Sequence, residues 1–155
     1  MGAAYFYHLT QNPLDRTLPI LLGKARAAGW AIELRGRDPR RVQWLDERLW
    51  VMPEDSFLPH GIAGGAHDAD QPILLTTGAG DAANDPACLM AWDGAEVAPE
   101  EVTRLDRVCI LFDGNDPDAV QTARGQWKAL TAAGRAAQYW SEESGRWEKK
   151  AESGA

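Results

Sequence analysis

The chain has 155 residues, of which 45% are hydrophobic and 25% charged, and these values are typical of one globular domain with its own core. Its formal net charge of -7 argues against broad, non-specific nucleic-acid binding, which needs a positively charged surface. No apolar run approaches the roughly 20 residues of a membrane-spanning helix, and the first residues do not resemble a signal peptide, so we expect a cytoplasmic protein without a membrane contact.

The N-terminal half predicts strands and helices in alternation. Aromatic and apolar runs are typical of buried strands, and proline and glycine mark the ends of the first helix. Asp38 is expected to cap the second helix, whose inward stripe is Val42, Leu45 and Leu49. The predicted elements are a strand at 3–9, a helix from Pro13 to Gly29, a strand at 30–34, and a helix that starts at Pro39 and ends before Pro53.

The C-terminal half continues the alternation after a loop at 53–71 that is rich in Gly, Pro, His and Asp. The predicted elements are strands at 73–77, 87–92, 108–112 and 136–140, and a helix at 116–133. Uniformly apolar strands alternating with helices predict an α/β fold: a single three-layer domain over residues 1–150, with a mostly parallel central sheet covered by helices. Residues 151–155 are expected to form a frayed tail.

The charges are distributed unevenly along the chain. Between Leu49 and Thr103 there are ten acidic residues and no lysine or arginine, so the rest carries all 16 basic residues against 13 acidic ones. A surface formed by the acidic segment would repel phosphate. A surface formed by the rest of the chain offers modest positive charge to an acidic partner. The acidic pair Glu100-Glu101 is expected on the solvated surface.

A nucleotide-binding turn is one hypothesis for Gly78-Ala79-Gly80-Asp81, because this run follows a predicted strand. The third glycine of the fingerprint is missing, since Asn84 and Asp85 stand in its place, and no lysine follows for a phosphate-binding loop. The carboxylates would also repel phosphates. A plain acidic loop is therefore favoured, and a nucleotide-handling enzyme with a Rossmann-like fold is the alternative.

Other candidate sites have simpler structural explanations. The cluster at 67–70 has too few ligands for a cation. The calcium-loop-like run at 113–118 is interrupted by a proline and is better explained by Asn115 or Asp116 as a helix N-cap. Cys88 and Cys109 lie in apolar runs that predict buried thiols. His60 has no nucleophile motif beside it. We therefore expect no catalytic site, no metal and no cofactor.

The last predicted helix presents two faces at about 100° per residue. The core-facing residues are expected to be Ala119, Ala123, Leu130 and Ala133. Val120, Arg124, Trp127 and Lys128 fall on an adjoining strip, the cationic strip. It suits a short acidic peptide with an apolar end, because a guanidinium can grip a carboxylate while the indole forms an apolar wall. Alternatively, Trp127 packs inward and leaves two solvated cations.

A second candidate surface surrounds Trp50, which points away from the inward stripe of its helix. The loop that follows carries Phe57 and Pro59. These three residues, the Trp50 patch, could form an exposed apolar surface of the kind that marks a protein interface. The loop could equally fold over Trp50 and hide it.

Three segments together resemble the chi subunit family of DNA polymerase III. They occur in the family's order and at similar spacing, and they extend over nearly the whole chain. They are Tyr5-Phe6-Tyr7-His8-Leu9; then Leu45-Asp46-Glu47-Arg48-Leu49-Trp50 with Pro53 and Ser56-Phe57-Leu58-Pro59-His60; and finally Ala123-Arg124, Trp127-Lys128, Tyr139-Trp140 and Gly145-Arg146-Trp147.

The resemblance implies a non-catalytic adaptor on a nucleotide-binding-like α/β scaffold that has lost any nucleotide site. Members of the family hold the acidic C-terminal tail of the single-stranded-DNA-binding protein, and they dock on the clamp loader through the psi subunit or directly. The resemblance assigns tail binding to Arg124, Trp127 and Lys128, with Val120 at a position that is often basic. It assigns the Trp50 patch to the psi or clamp-loader partner, and it implies no specific nucleic-acid binding by the chain itself.

Overall fold

The computed structural model describes residues 3–51, 59–78 and 82–153, and these residues form eight strands and four α-helices. The strands are β1 (Ala4–Leu9), β2 (Ile32–Arg35), β3 (Gly61–Ile62), β4 (Ile73–Thr76), β5 (Cys88–Ala91), β6 (Arg107–Asp113), β7 (Ala137–Ser141) and β8 (Glu148–Ser153). The helices are α1 (Leu14–Ala27), α2 (Pro39–Val51), α3 (Pro99–Arg104) and α4 (Pro117–Ala132).

All eight strands form one sheet in the order β3-β4-β2-β5-β6-β1-β7-β8. Neighbouring strands are parallel except for β7 and β8, which pair antiparallel at one edge. Parallel neighbours need crossover connections, and the helices supply most of them. The predicted α/β fold with a mostly parallel central sheet is confirmed.

The sheet separates two hydrophobic cores. Helices α1 and α2 pack on one face, where Leu18 and Leu45 are buried, whereas α3 and α4 pack on the other, where Val102 and Leu130 are buried. Successive side chains of β6 alternate between these cores, and both faces are covered. This explains why the strands are apolar throughout instead of alternating with polar residues.

Helices α2 and α4 begin at side-chain N-caps, as predicted. Asp38 Oδ1 accepts a hydrogen bond from the backbone N–H of Arg40 at 2.9 Å, and Asp116 Oδ1 accepts one from Asp118 at 3.0 Å. The stripe of α2 is buried as predicted. On α4 the prediction is wrong at Ala133, which is exposed because the helix ends one residue earlier.

A frayed tail is expected at 151–155, but residues 151–153 are ordered in a strand, while 154 and 155 lie outside the described residues. Residues up to Ser153 belong to β8, whose backbone pairs with the edge of β7, with Ala137 opposite Ser153. Strand β8 is mostly charged and lacks the apolar pattern of a buried strand. Its position is therefore set by the free hydrogen-bonding groups of β7.

A buried ionic cluster joins the centre of the sheet to α3. Arg35 Nε lies 3.0 Å from Glu33 Oε2, and Arg35 Nη2 lies 2.7 Å from Glu101 Oε2. The three side chains are only 11%, 4% and 16% exposed, so the expectation of a solvated Glu101 is wrong. Burial disfavours the charged guanidinium, but its hydrogen bonds to Glu101 and Glu33 outweigh this and raise the pKa of Arg35.

The two thiols are buried on the neighbouring strands β5 and β6, as predicted. A hydrogen bond to Cys88, together with burial, raises the pKa of the Cys109 thiol, so this sulfur is protonated at neutral pH. Within residues 3–51, 59–78 and 82–153, none of the helices combines the length and the hydrophobicity needed to cross a bilayer.

Candidate functional site

The cationic strip lies on α4, on the side that borders strand β7. Arg124 and Lys128 are exposed, whereas Val120 and Trp127 are partly buried and pack against the core beneath the helix. The Trp127 ring meets Phe6 edge-on, with centroids 5.3 Å apart. The sequence left open whether Trp127 packs inward or stays at the surface, and the ring does both. One part of it anchors α4, and the rest stays at the surface on the same strip as two cations.

Tyr139 extends this surface and was not predicted to belong to it. Its ring lies edge-on to Trp127, with centroids 6.2 Å apart, and it packs with Val120 against the same core. Strand β7 lies beside β1, and the α4 crossover packs over them, so residues that are far apart in sequence meet here. The sequence offered one signal, the Tyr139-Trp140 pair of the family resemblance, but no role for it.

A hydrogen bond fixes the tyrosine. Tyr139 Oη lies 3.0 Å from His8 Nδ1, and the His8 ring stacks on Phe112 with centroids 5.1 Å apart. Gly114 is required behind this stack, because a Cβ atom there would overlap the His8 ring. Trp127 and Tyr139 therefore form a preorganised aromatic wall beside α4. Preorganisation lowers the entropic cost of binding a ligand.

Two charged side chains shift the pKa of the tyrosine hydroxyl in opposite directions. Burial raises the pKa of Tyr139, Arg124 opposes the shift, and Glu143 adds to it. Arg124 is thus close enough to act electrostatically on the aromatic wall. Within the described part of the chain, neither Arg124 nor Lys128 takes part in an ion pair, so both cations are available to an outside carboxylate.

The Trp50 patch is only partly described. Trp50 is 52% exposed and Val51 60% exposed at the end of α2, and Pro59 is exposed, whereas Phe57 lies outside the described residues. The ring of Trp50 packs against the buried ring of His60, with centroids 4.1 Å apart. The prediction that Trp50 points away from the inward stripe is confirmed.

The remaining candidates for chemistry have structural roles where the structure describes them. Gly78 adopts φ +84°, and a Cβ there would lie 3.2 Å from Arg35 Cδ, so this glycine fits over the ionic cluster. The Asp68 carboxylate accepts hydrogen bonds from the backbone N–H groups of Gly64 and Gly65, at 2.8 and 2.9 Å. Ala79, Gly80 and Asp81 lie outside the described residues.

A crevice opens at the carboxyl ends of β1, β5 and β6, between the two helical layers. Its volume is about 840 Å³, and Arg41, Trp44 and Trp92 line one side of it while Thr122 and Gln126 of α4 line the other. In open α/β sheets this is the usual position of a ligand site. The described residues contain no group of three or more His, Cys, Asp or Glu side chains placed to hold a metal ion.

Comparison with known proteins adds one match. Residues 1–138 match the family model described as DNA polymerase III chi subunit, HolC. The matched segment includes the whole cationic strip and the Trp50 patch, and it ends just before Tyr139. No curated protein matches the chain.

Proposed function

We propose, because this chain belongs to the DNA polymerase III chi subunit family, that it is a non-catalytic adaptor joining the single-stranded-DNA-binding protein to the clamp loader. Family membership makes it an accessory subunit of DNA polymerase III, with a role in replication. In this role the cationic strip holds the acidic C-terminal tail of the single-stranded-DNA-binding protein. The Trp50 patch contacts the psi subunit or a clamp-loader subunit directly.

The observation that carries the tail assignment is the pairing of two free cations with a preorganised aromatic wall. Arg124 and Lys128 are one helical turn apart, so both can reach a single extended peptide. We place the terminal carboxylate at Arg124 and the last apolar side chain against Trp127 and Tyr139. Acidic residues further from the terminus then lie towards Lys128.

Direct titration tests this assignment. A synthetic acidic peptide with a free C-terminus should bind with 1:1 stoichiometry in calorimetry, and its affinity should fall as salt rises because both cations are exposed. A nucleoside triphosphate and single-stranded DNA are the controls, and neither should bind specifically. Specific nucleotide binding without a response to the peptide would favour the Rossmann-like enzyme instead.

The partner contact is supported by exposed apolar surface at the end of α2. Trp50 and Val51 are both more than half exposed, and Ile62 is exposed on β3, the edge strand that α2 contacts. Large exposed side chains gathered at one place are typical of an interface centre. This surface lies on the α1–α2 face of the sheet, whereas the cationic strip lies on the α3–α4 face.

Trp50→Ala should weaken binding to the psi or clamp-loader partner by about 2 kcal/mol or more, as truncation of an aromatic hot spot does. The fold should survive, because the indole lies off the buried stripe of α2. Isothermal titration with the purified partner measures the loss, and circular dichroism checks the fold.

Trp44→Ala is the matched control, since Trp44 is also exposed on α2 but lines the crevice. It should leave partner binding unchanged. Equal losses for the two variants would remove the Trp50 patch from the interface, and unfolding of the Trp50 variant would assign that side chain to the core.

A further inference from the structure

The loop between β1 and α1 encloses a buried carboxylate from the other end of the chain. Glu142 Oε1 accepts hydrogen bonds from three successive backbone N–H groups: Thr10 at 3.0 Å, Gln11 at 2.9 Å and Asn12 at 3.0 Å. Glu142 Oε2 accepts a fourth from Asn12 Nδ2 at 3.4 Å. Glu142 follows β7 directly and is only 3% exposed.

These amides form the kind of concave donor cluster that binds anions at the start of a helix. Helix α1 begins immediately after them, and its N-cap residue, Pro13, supplies no side-chain acceptor. The carboxylate of Glu142 therefore accepts hydrogen bonds from backbone N–H groups that the N-cap residue itself cannot accept. The hydroxyl of Thr10 is also buried, and it has no hydrogen-bond partner within the described residues, which leaves a spare donor in this loop.

The hydrogen-bond donors that face the Glu142 carboxylate are uncharged groups of the loop. Among the described residues it forms no ion pair with lysine or arginine. Burial raises the pKa of Glu142, but the hydrogen bonds from Asn12, Gln11 and Thr10 outweigh burial and hold it below its ordinary value. The contact therefore stabilises the fold at neutral pH, and this contribution is lost as the pH falls through the pKa of the folded state.

We propose that the loop 10–12 is an oxyanion-binding site whose ligand is the chain's own Glu142 side chain. When that side chain is truncated, the site takes a small free oxyanion such as formate. All three loop residues line the crevice of about 840 Å³ at the carboxyl ends of the strands, which gives the ion a route from solvent. Dinucleotide-binding α/β folds bind a phosphate at the start of the helix that follows their first strand, and here the tethered carboxylate lies just before α1, which follows β1.

Chemical rescue tests the proposal. Glu142→Ala should melt at a lower temperature than the wild-type protein. Sodium formate should raise its melting temperature by several degrees more than sodium chloride at equal ionic strength, because formate binds the folded variant only. The gain should grow with the logarithm of formate concentration, and the wild-type protein should melt at the same temperature in both salts.

Two variants keep the test decisive. Glu143→Ala removes the neighbouring exposed carboxylate and should show no formate-specific gain. Glu142→Gln fills the site with an uncharged side chain, so it should be destabilised yet unresponsive to formate. If Glu142→Ala does not fold unaided, its refolding yield in formate against chloride gives the same readout. Equal effects of the two salts on Glu142→Ala would overturn the proposal.

Discussion

Arg124→Ala should weaken binding of the acidic peptide by about 1.5–3 kcal/mol, the usual contribution of hydrogen bonds to a charged group. That loss corresponds to about 10- to 150-fold in the dissociation constant. Arg124 has no competing ion pair among the described residues, and its planar guanidinium can donate two parallel hydrogen bonds to a terminal carboxylate. Lys128→Ala should cost less, because an ammonium group cannot form this bidentate contact.

A peptide with an amidated C-terminus separates the contributions. Amidation should remove most of the effect of Arg124→Ala while leaving that of Trp127 unchanged, and calorimetry on the resulting double-mutant cycle measures the coupling. Lys24→Ala is the control, since Lys24 is an exposed cation on α1, on the opposite face of the sheet. If Arg124→Ala costs the same for free and amidated peptides, the carboxylate lies elsewhere.

Arg35→Met should lower the free energy of unfolding by about 3–5 kcal/mol, which is the usual effect of removing one partner from a buried ionic cluster. The substitution leaves the carboxylates of Glu33 and Glu101, only 4% and 16% exposed, without the guanidinium between them. Thr76 Oγ1, which donates to Glu33 at 2.7 Å, cannot replace the lost positive charge.

Urea denaturation measures this loss, and Lys149→Met is the matched control. Lys149 pairs with Glu152 at 3.3 Å on β8, but both side chains are about half exposed, so its removal should cost about 1 kcal/mol or less. Similar losses for the two variants would mean that the Arg35 cluster contributes no more than a surface ion pair.

Local sequence patterns predicted the parts of the fold that are locally encoded. The apolar stripe of α2 repeats at fixed spacing, so the sequence reveals it. The caps at Asp38 and Asp116 lie next to their own helices, so they can be predicted in the same way. Contacts between distant segments leave no such pattern. Glu101 looked like a surface acid because its partner, Arg35, is 66 residues away.

The candidate site shows the same division. Helical periodicity was enough to place Arg124, Trp127 and Lys128 side by side, but it could not say how deeply the indole is buried. That depends on Phe6 and Tyr139, which reach the site only through the strand order β6-β1-β7. No sequence signal indicated that Glu142 enters the loop at 10–12.

In the part of the chain that the structure describes, both edges of the sheet are poor templates for adding a strand from another protein. At one edge, β3 has only two residues, Gly61 and Ile62. At the other, β8 carries Glu148, Lys149, Lys150 and Glu152, and charged side chains on an edge strand oppose pairing with another chain. Recognition by β-augmentation is therefore disfavoured at either end. Partners should instead contact side chains on the helices, as in helix-in-groove recognition. They should form no hydrogen bonds with the backbone of the sheet.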